Sequence, residues 1–184
     1  DGSIGNPYVI NQEGNDNYIN KYVKMGNDLY QVIEDNNNNL RLRLNDYLKV
    51  KNVDVELAFN TKGTQFELLN RSNIGYYLNR TYYNSLTYKN YLGQCSYTNV
   101  YKDSVVAKVG MLNMVDFNDN TTLDTYYLIN STSNVGNLVY TYNKLGLIDE
   151  VKVSEKKKIV PVICLDKTFI KAGDGSINNP YVVE

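Results

Sequence analysis

Residues 20–44 read NKYVKMGNDLYQVIEDNNNNLRLRL and carry the clearest strand pattern in the chain. Apolar and polar residues alternate on both sides of Gly26-Asn27-Asp28, which has the composition of a tight turn between two half-buried strands. The asparagine-rich stretch 35–39 makes a second turn into LRLRL. The pattern predicts a three-stranded antiparallel meander.

The last segment of this meander, LRLRL at 40–44, predicts a sheet with one wet face. Successive side chains in a strand point to opposite sides, so the three leucines share one face while Arg41 and Arg43 share the other. We expect the leucine face to pack on the core and the arginine face to be exposed to solvent.

Beyond the meander, the chain predicts another strand and then a helical insert. KVKNVDVELAF at 49–59 is expected to form the strand. Residues 73–92 place apolar side chains at steps of three and four, with Asn73 or Ser72 as a cap, and predict a helix with a short second helix over 90–92. The tyrosines of this region allow two interpretations, a ligand-stacking platform or core packing of about half of them, and core packing is favoured.

Strand-like segments return after Ser104, joined by short Asn, Gly and Ser turns. Such turns predict antiparallel pairing, because parallel strands require crossovers of a dozen or more residues. Pro161 lies inside the last apolar segment and predicts an edge strand or a bulge. The expected fold class is α+β, with antiparallel sheets and one or two inserted helices. The segments are VVAKVGML after Ser104, YYLIN at 126–130, NLVYTYN at 137–143, LIDEVKV at 147–153 and IVPVICL at 159–165.

One ten-residue phrase occurs twice in the chain. It reads DGSIGNPYVI at 1–10 and DGSINNPYVV at 174–183, so eight of ten positions are identical. Asp-Gly-Ser is turn chemistry, Asn-Pro sets an extended entry, and the last three residues form a short strand. Repetition of this kind indicates one unit of a longer array. We expect boundary strands at 1–10 and 174–184 around one globular module at 11–173.

The repeated phrase also predicts a joint between modules. A terminal strand presents unpaired backbone donors and acceptors, and it satisfies them by adding to the edge of a neighbouring sheet. If the first copy docks on its own module, the second copy is expected to dock in the equivalent place on the next one. The residues expected at the joint are Pro7, Tyr8, Val9, Ile10, Pro180, Tyr181, Val182 and Val183.

Composition excludes several classes of function. The 184 residues include no histidine, the commonest general base and metal ligand, and the net charge of -1 gives no reason to expect a nucleic-acid partner. No stretch approaches the roughly 20 apolar residues of a membrane span. No nucleophile elbow, phosphate loop or cluster of metal ligands is present. We expect a protein that is not an enzyme, with no membrane span in this chain.

The chain has two cysteines, Cys95 and Cys164. They have no CxxC spacing, so no zinc or redox motif is present. In an exported protein they would form one disulfide, worth roughly 4 kcal/mol by loop-closure theory. Two buried free thiols are an equally good interpretation of the sequence.

One short segment, DFNDNTTLD, has the spacing of a calcium loop. Oxygen ligands at alternating positions are what a hard cation requires. Thr121 replaces the turn glycine and Tyr127 replaces the closing glutamate, so an ordinary polar turn is the better interpretation. The sequence therefore predicts no cofactor, with calcium as the alternative. The candidate ligands, at positions one, three, five and nine, are Asp116, Asn118, Asn120 and Asp124.

A series of segments occurs in an order that is more specific than any one of them. They are the boundary phrase, NKYVKMGNDLYQVIE at 20–34, IGYYLNRTYYNSL at 74–86, AKVGMLNMVDF at 107–117, TYYLINSTSNVGNLVYTYN at 125–143 and IVPVICL at 159–165. In this order the chain resembles a family of bacterial extracellular modules that is common in surface and prepilin-like proteins. The resemblance implies a C-type-lectin-like fold, related to that of the formylglycine-generating enzymes, and a location on the bacterial cell surface.

The expected function is that of a non-enzymatic structural subunit or module of a bacterial surface filament, pilus or stalk. Its partners would be neighbouring copies of the same module, joined head to tail. The alternative is an adhesin or lectin-like module that binds a glycan or a host surface protein through a tyrosine-rich face. The sugar signatures of C-type lectins, Glu-Pro-Asn and Trp-Asn-Asp, are absent from the sequence, so calcium-dependent sugar binding is not supported.

Overall fold

The computed structural model describes residues 17–98, 104–114, 116, 123–131 and 136–183. The first copy of the phrase, with Pro7, Tyr8, Val9 and Ile10, lies outside the described residues. Within the described ranges the chain forms many short strands and one longer helix, so the fold is α+β and mostly β-sheet. The strands are β1 Tyr22–Met25, β2 Asp28–Asn36, β3 Asn39–Leu44, β4 Lys49–Val50, β5 Val53–Asp54, β6 Glu56–Ala58, β7 Leu92–Gly93, β8 Cys95–Thr98, β9 Ser104–Ala107, β10 Val109–Met111, β11 Tyr126–Ser131, β12 Leu138–Tyr142, β13 Ile148–Lys152, β14 Lys156–Lys158, β15 Pro161–Asp166, β16 Ile170–Ala172 and β17 Tyr181–Val183.

Helix α1 is one continuous element whose hydrogen-bonding pattern changes in the middle. It begins as an α-helical turn at Ile74–Tyr76, continues as a π-helix over Tyr77–Tyr82 and ends as an α-helical turn at Tyr83–Ser85. The side-chain oxygen of Asn73 caps it by accepting a 2.8 Å hydrogen bond from the backbone N–H of Gly75. The predicted helix and its Asn73 cap are confirmed. It is shorter than predicted, and a single 3₁₀ turn at Lys89–Tyr91 takes the place of the second helix.

The predicted meander is confirmed and lies within the larger sheet. Strands β1, β2 and β3 pair antiparallel in chain order, with Val23 opposite Tyr30 and Val32 opposite Leu42. The order of this sheet is β10-β15-β3-β2-β1-β17-β16, and β7 pairs beside β15. The meander therefore connects the β15 side of the sheet to the side formed by the end of the chain.

A second sheet has the order β13-β12-β11-β14-β6, and β4–β5 and β8–β9 form separate hairpins. Most neighbouring strands are antiparallel, as predicted. The pairs β1–β17 and β11–β14 are parallel. Both join strands that are far apart in sequence, so the short turns that indicate antiparallel pairing carry no information about them.

The arginine face of β3 is buried, so the prediction of a wet face is wrong. Arg41 is 9% exposed and Arg43 is 3% exposed. The guanidinium carbon of Arg41 lies 5.3 Å from the ring centroid of Tyr97, in the β8–β9 hairpin. The Tyr97 hydroxyl donates a 2.9 Å hydrogen bond to the carbonyl of Val162 in β15. A hairpin from a distant part of the sequence therefore covers this face.

Two other strand predictions are corrected. The segment 49–59 forms the hairpin β4–β5 and then the separate strand β6, because Lys51 and Asn52 adopt positive φ angles of 51° and 64° in a tight turn. Pro161 begins a strand that has neighbours on both sides, and it lies neither on an edge strand nor at a bulge. Its missing N–H is tolerated because pairing of β15 with β3 starts at Val162.

A disulfide ties the β8–β9 hairpin to the larger sheet. Cys95 in β8 is bonded to Cys164 in β15, and their Cα atoms lie 6.0 Å apart. The structure thus contains the disulfide and not the two free thiols that the sequence allowed equally. The bond joins residues 69 positions apart and restrains the hairpin that covers the arginine face.

Candidate functional site

The second copy of the phrase folds as a closed turn followed by a strand. The carboxylate of Asp174 accepts a 2.8 Å hydrogen bond from the N–H of Ser176, and the Ser176 hydroxyl accepts one of 3.1 Å from the N–H of Asn179. The carbonyl of Asn179 accepts hydrogen bonds of 3.1 Å from Asp174 and 3.2 Å from Gly175. Pro180 then leads into β17. The turn and strand predicted for this copy are present.

Strand β17 lies inside the sheet of its own chain. It pairs parallel with β1, with Tyr181 opposite Val23 and Val182 opposite Lys24, and antiparallel with β16. The structure thus seats the second copy on its own module. The expectation that it docks on the next module was conditional on the first copy docking on its own, and the first copy lies outside the described residues. We name this position the boundary slot: it lies between β1 and β16, beside Tyr18 and Lys21.

The boundary slot requires glycine at position 175. Gly175 has a φ of +74°, a left-handed conformation that strains a residue with a Cβ. A Cβ there would lie 2.5 Å from Cε2 of Tyr181 and 2.9 Å from Cβ of Lys21. The close approach lets the Gly175 carbonyl accept a 2.8 Å hydrogen bond from the N–H of Tyr22. The turn of the phrase is therefore attached directly to the start of β1.

Aromatic and charged side chains complete the boundary slot. The ring centroids of Tyr181 and Tyr18 lie 5.3 Å apart. The backbone N–H of Tyr18 donates a 3.3 Å hydrogen bond to the carboxylate of Asp35, and the ammonium of Lys167 lies 5.1 Å from the Tyr18 ring centroid. Lys167 also forms an ion pair with Asp35. A chain of contacts therefore runs from the phrase into β2.

The turn is favoured when Asp174 is ionised. The backbone N–H of Ser176, followed by the side chains of Ser176 and Asn179, lowers the pKa of Asp174 below its ordinary value of 3.8. The ammonium of Lys21 donates a 3.3 Å hydrogen bond to the Asp174 carbonyl. Because the folded-state pKa is lowered, the stabilisation is present above pH 3.8 and is lost as the pH falls through the folded-state pKa.

A second candidate site is a groove of about 710 Å³ beside helix α1, which we name the tyrosine groove. Tyr47, Tyr77 and Tyr82 present aromatic surface to it, while Asp28 and Asp46 present carboxylates. Aromatic rings beside a few polar groups are typical of a ligand-binding groove. Helix α1 carries Tyr77 and Tyr82, Asp28 begins β2, and Asp46 and Tyr47 lie between β3 and β4.

Three buried hydroxyl groups form a chain beside the tyrosine groove. The Tyr30 hydroxyl lies 3.1 Å from that of Tyr82 and 2.8 Å from that of Tyr88, which in turn donates to Asp28. Burial raises the pKa of Tyr82 to about 12 and raises the pKa of Tyr30 and Tyr88 above the ordinary value of 10. The favoured core interpretation is confirmed for Tyr82 and Tyr88, which are buried.

A third candidate site is a cavity of about 660 Å³ on the arginine face of β3, with a polar lining that includes Gln94 and Ser96. Here Arg41 donates to Glu34 at 3.4 Å and to Asp116 at 3.2 Å. Burial raises the pKa of Asp116, although Arg41 acts to lower it. Two carboxylates already pair with the positive charge of the Arg41 guanidinium, so this cavity gives little reason to expect an anionic ligand.

The structure places two of the four candidate calcium ligands. Asp116 is paired with Arg41, a neighbour that disfavours a cation, and Asp124 is exposed. Asn118 and Asn120 lie outside the described residues, so calcium at this segment stays a prediction. Across the part of the chain that the structure describes, no group of three or more His, Cys, Asp or Glu side chains is arranged to hold a metal ion.

The sequence pattern identified some residues of the boundary slot and not others. Gly175 is one of the eight positions shared by the two copies of the phrase, so the repetition itself marked it. Tyr18 lies outside the segments quoted above, and Lys21 lies within 20–34, where no pattern marked it as a contact of the phrase, so both were missed. Among the described residues, no helix is both long and apolar enough to cross a membrane.

No protein-family profile, curated protein sequence or solved structure matches this chain.

Proposed function

We propose that this chain is a non-enzymatic structural module of a bacterial surface filament, pilus or stalk, joined head to tail to neighbouring copies through its boundary phrases. The observation that carries the proposal is the boundary slot, which seats a phrase that the chain contains twice. One copy completes the sheet of its own module. The other copy has the sequence to complete a second sheet, which an isolated module does not need.

Two features support a location on the cell surface. The Cys95–Cys164 disulfide is of the kind that persists in oxidising compartments. The ordered segments from 20–34 to 159–165 resemble those of bacterial extracellular modules. The same resemblance supports a C-type-lectin-like version of the α+β fold.

Electron microscopy and mass analysis of native material test the proposal. We expect antibodies against this chain to label intact producing cells, and the labelled material to consist of modules joined end to end. Native material composed of single, unjoined modules with both phrases intact would contradict it.

The tyrosine groove favours a second function, the binding of a glycan or a host surface protein. Tyr77 is half-buried at its lining, where a ring can pack on a ligand beside the Asp28 carboxylate. A glycan and host-protein array probed with the whole chain tests this function. We expect Tyr77→Ala to weaken any binding about tenfold, the effect of losing a well-packed aromatic contact. Tyr76→Ala is the matched control, because Tyr76 is the neighbouring half-buried helix residue outside the groove lining.

A further inference from the structure

We infer that residues 1–10 of one chain occupy the boundary slot of a second copy of this fold, in the register that residues 174–183 hold in their own chain. The inference rests on the proposed head-to-tail function and specifies both the donor segment and the receiving strand. Tyr8 would lie opposite Val23 of the partner and Val9 opposite Lys24 of the partner, in the positions that Tyr181 and Val182 hold within their own chain.

The residues of the second copy that make its contacts in the boundary slot are identical in the first copy. In the second copy, Asp174, Ser176 and Asn179 close the turn, Gly175 permits the approach to Lys21, and Tyr181 packs on Tyr18. Each of these positions has the same residue in the first copy. The equivalents are Asp1, Gly2, Ser3, Asn6 and Tyr8.

The two differences between the copies fall where the boundary slot is tolerant. Asn178 is exposed, and its equivalent is Gly5. Val183 is half-buried opposite Ile170 of β16, and its equivalent, Ile10, keeps a β-branched apolar side chain there. Neither change removes a hydrogen bond or ring contact described for the second copy.

One boundary slot cannot hold both copies at once. A strand tethered to its own module competes at an effective concentration in the millimolar range. A first copy therefore displaces it either when β17 is weakened or absent, or when neighbouring modules in an array hold the first copy at a comparable local concentration. The six residues 11–16 that follow the first copy can span at most about 20 Å. A donor module would therefore lie directly beside the acceptor module, as a compact array requires.

The test uses a full-length chain in which neither phrase can be seated, Gly2→Val with Gly175→Val, and a synthetic peptide of residues 1–10 as the probe. We expect the peptide to bind this chain and raise its melting temperature. A peptide carrying Gly2→Val is expected to bind about tenfold more weakly or worse, because the left-handed position rejects a Cβ. The wild-type chain, whose boundary slot is filled, is the control and should bind little. Equal binding of the two peptides, or no binding of either, overturns the inference.

A second variant keeps the test decisive if the double variant does not fold. Tyr181→Ala weakens the seating of β17 in its own chain and leaves Tyr8 intact, so we expect this variant to form oligomers. Adding Tyr8→Ala should convert these oligomers back to monomers. Monomers in both variants overturn the inference. The proposed function fails separately: peptide binding without native arrays supports the inference and contradicts the filament. Native arrays that persist with Gly2→Val support head-to-tail assembly and contradict residues 1–10 as the donor.

Discussion

The centre of the larger sheet and its boundary end are stabilised in different ways. At the centre, residues 40–44 of β3 are all buried, and β15 is buried over 161–165. At the boundary end, the described residues of β16 and β17 are half-buried or exposed. The boundary strand depends instead on a closed turn, backbone pairing and one ring contact. The centre thus depends on burial, whereas the boundary contacts depend on residues that occur in both copies of the phrase.

The disulfide is expected to contribute most to the stability of the centre. Replacing Cys95 and Cys164 together by alanine opens a 69-residue loop. We expect the free energy of unfolding to fall by roughly 4 kcal/mol, because loop-closure entropy returns to the unfolded chain. Urea denaturation measures the change. A loss of under about 1 kcal/mol, at the low end of the range for disulfides, would show that side-chain burial alone fixes the covering hairpin.

A matched pair of apolar truncations compares the two regions directly. Leu42→Ala removes a fully buried side chain from β3 and should cost about 2–5 kcal/mol. Val182→Ala removes a side chain that is 40% exposed from β17 and should cost less than about 1 kcal/mol. Urea denaturation of both variants gives the two values. Equal costs would contradict the distinction between centre and boundary.

Alkaline pH is expected to destabilise the fold beside the tyrosine groove. Burial raises the folded-state pKa of Tyr82 to about 12 from an ordinary value of 10, so the unfolded chain loses this proton first. The stabilisation is complete below pH 10 and is lost as the pH rises through about 12. Tyrosinate absorbance and circular dichroism should change together in this window. Ionisation of all tyrosines near pH 10 with the fold intact would contradict the buried hydroxyl chain.

Acid is expected to have the smallest effect, confined to the boundary end. The lowered pKa of Asp174 means that its stabilisation disappears as the pH falls below 3.8. The raised pKa of Asp116 acts in the opposite sense, since protonation relieves the cost of its buried charge. The protection factors against hydrogen exchange at the amides of Ser176 and Tyr22 should fall in acid before those in β3 do. Asp174→Asn should remove the acid-dependent change in protection at these two amides.

The sequence predicted what depends on neighbouring residues. Alternation around Gly26 and the asparagine-rich turn was sufficient for the meander β1–β2–β3, and the spacing over 73–92 was sufficient for helix α1. The burial of Arg41 was not predictable, because Tyr97 and Asp116 reach it from distant parts of the chain. No local pattern marks such contacts.

The boundary slot is another case in which local sequence patterns do not reveal contacts between distant parts of the chain. The repeated phrase identified a turn and a strand correctly, since Asp-Gly-Ser and Asn-Pro act within a few residues. Its partner strand could not be read from the phrase, because parallel pairing with β1 joins the two ends of the described chain. The repetition therefore pointed to the right segment and left the receiving strand to the structure.

Cross-linking between chains tests the central claim, that the boundary slot accepts the first copy of the phrase from another molecule, most directly. Cysteines replace Lys24 and Val9 in a chain that carries Gly175→Val, and a short thiol-specific cross-linker is added. As the matched control, Lys24→Cys with Val182→Cys in the otherwise wild-type chain should link within one molecule, in the register that the structure has. We predict that positions 24 and 9 become linked between molecules, giving dimers and longer chains. Absence of that link, or a link only within single molecules, would contradict the account.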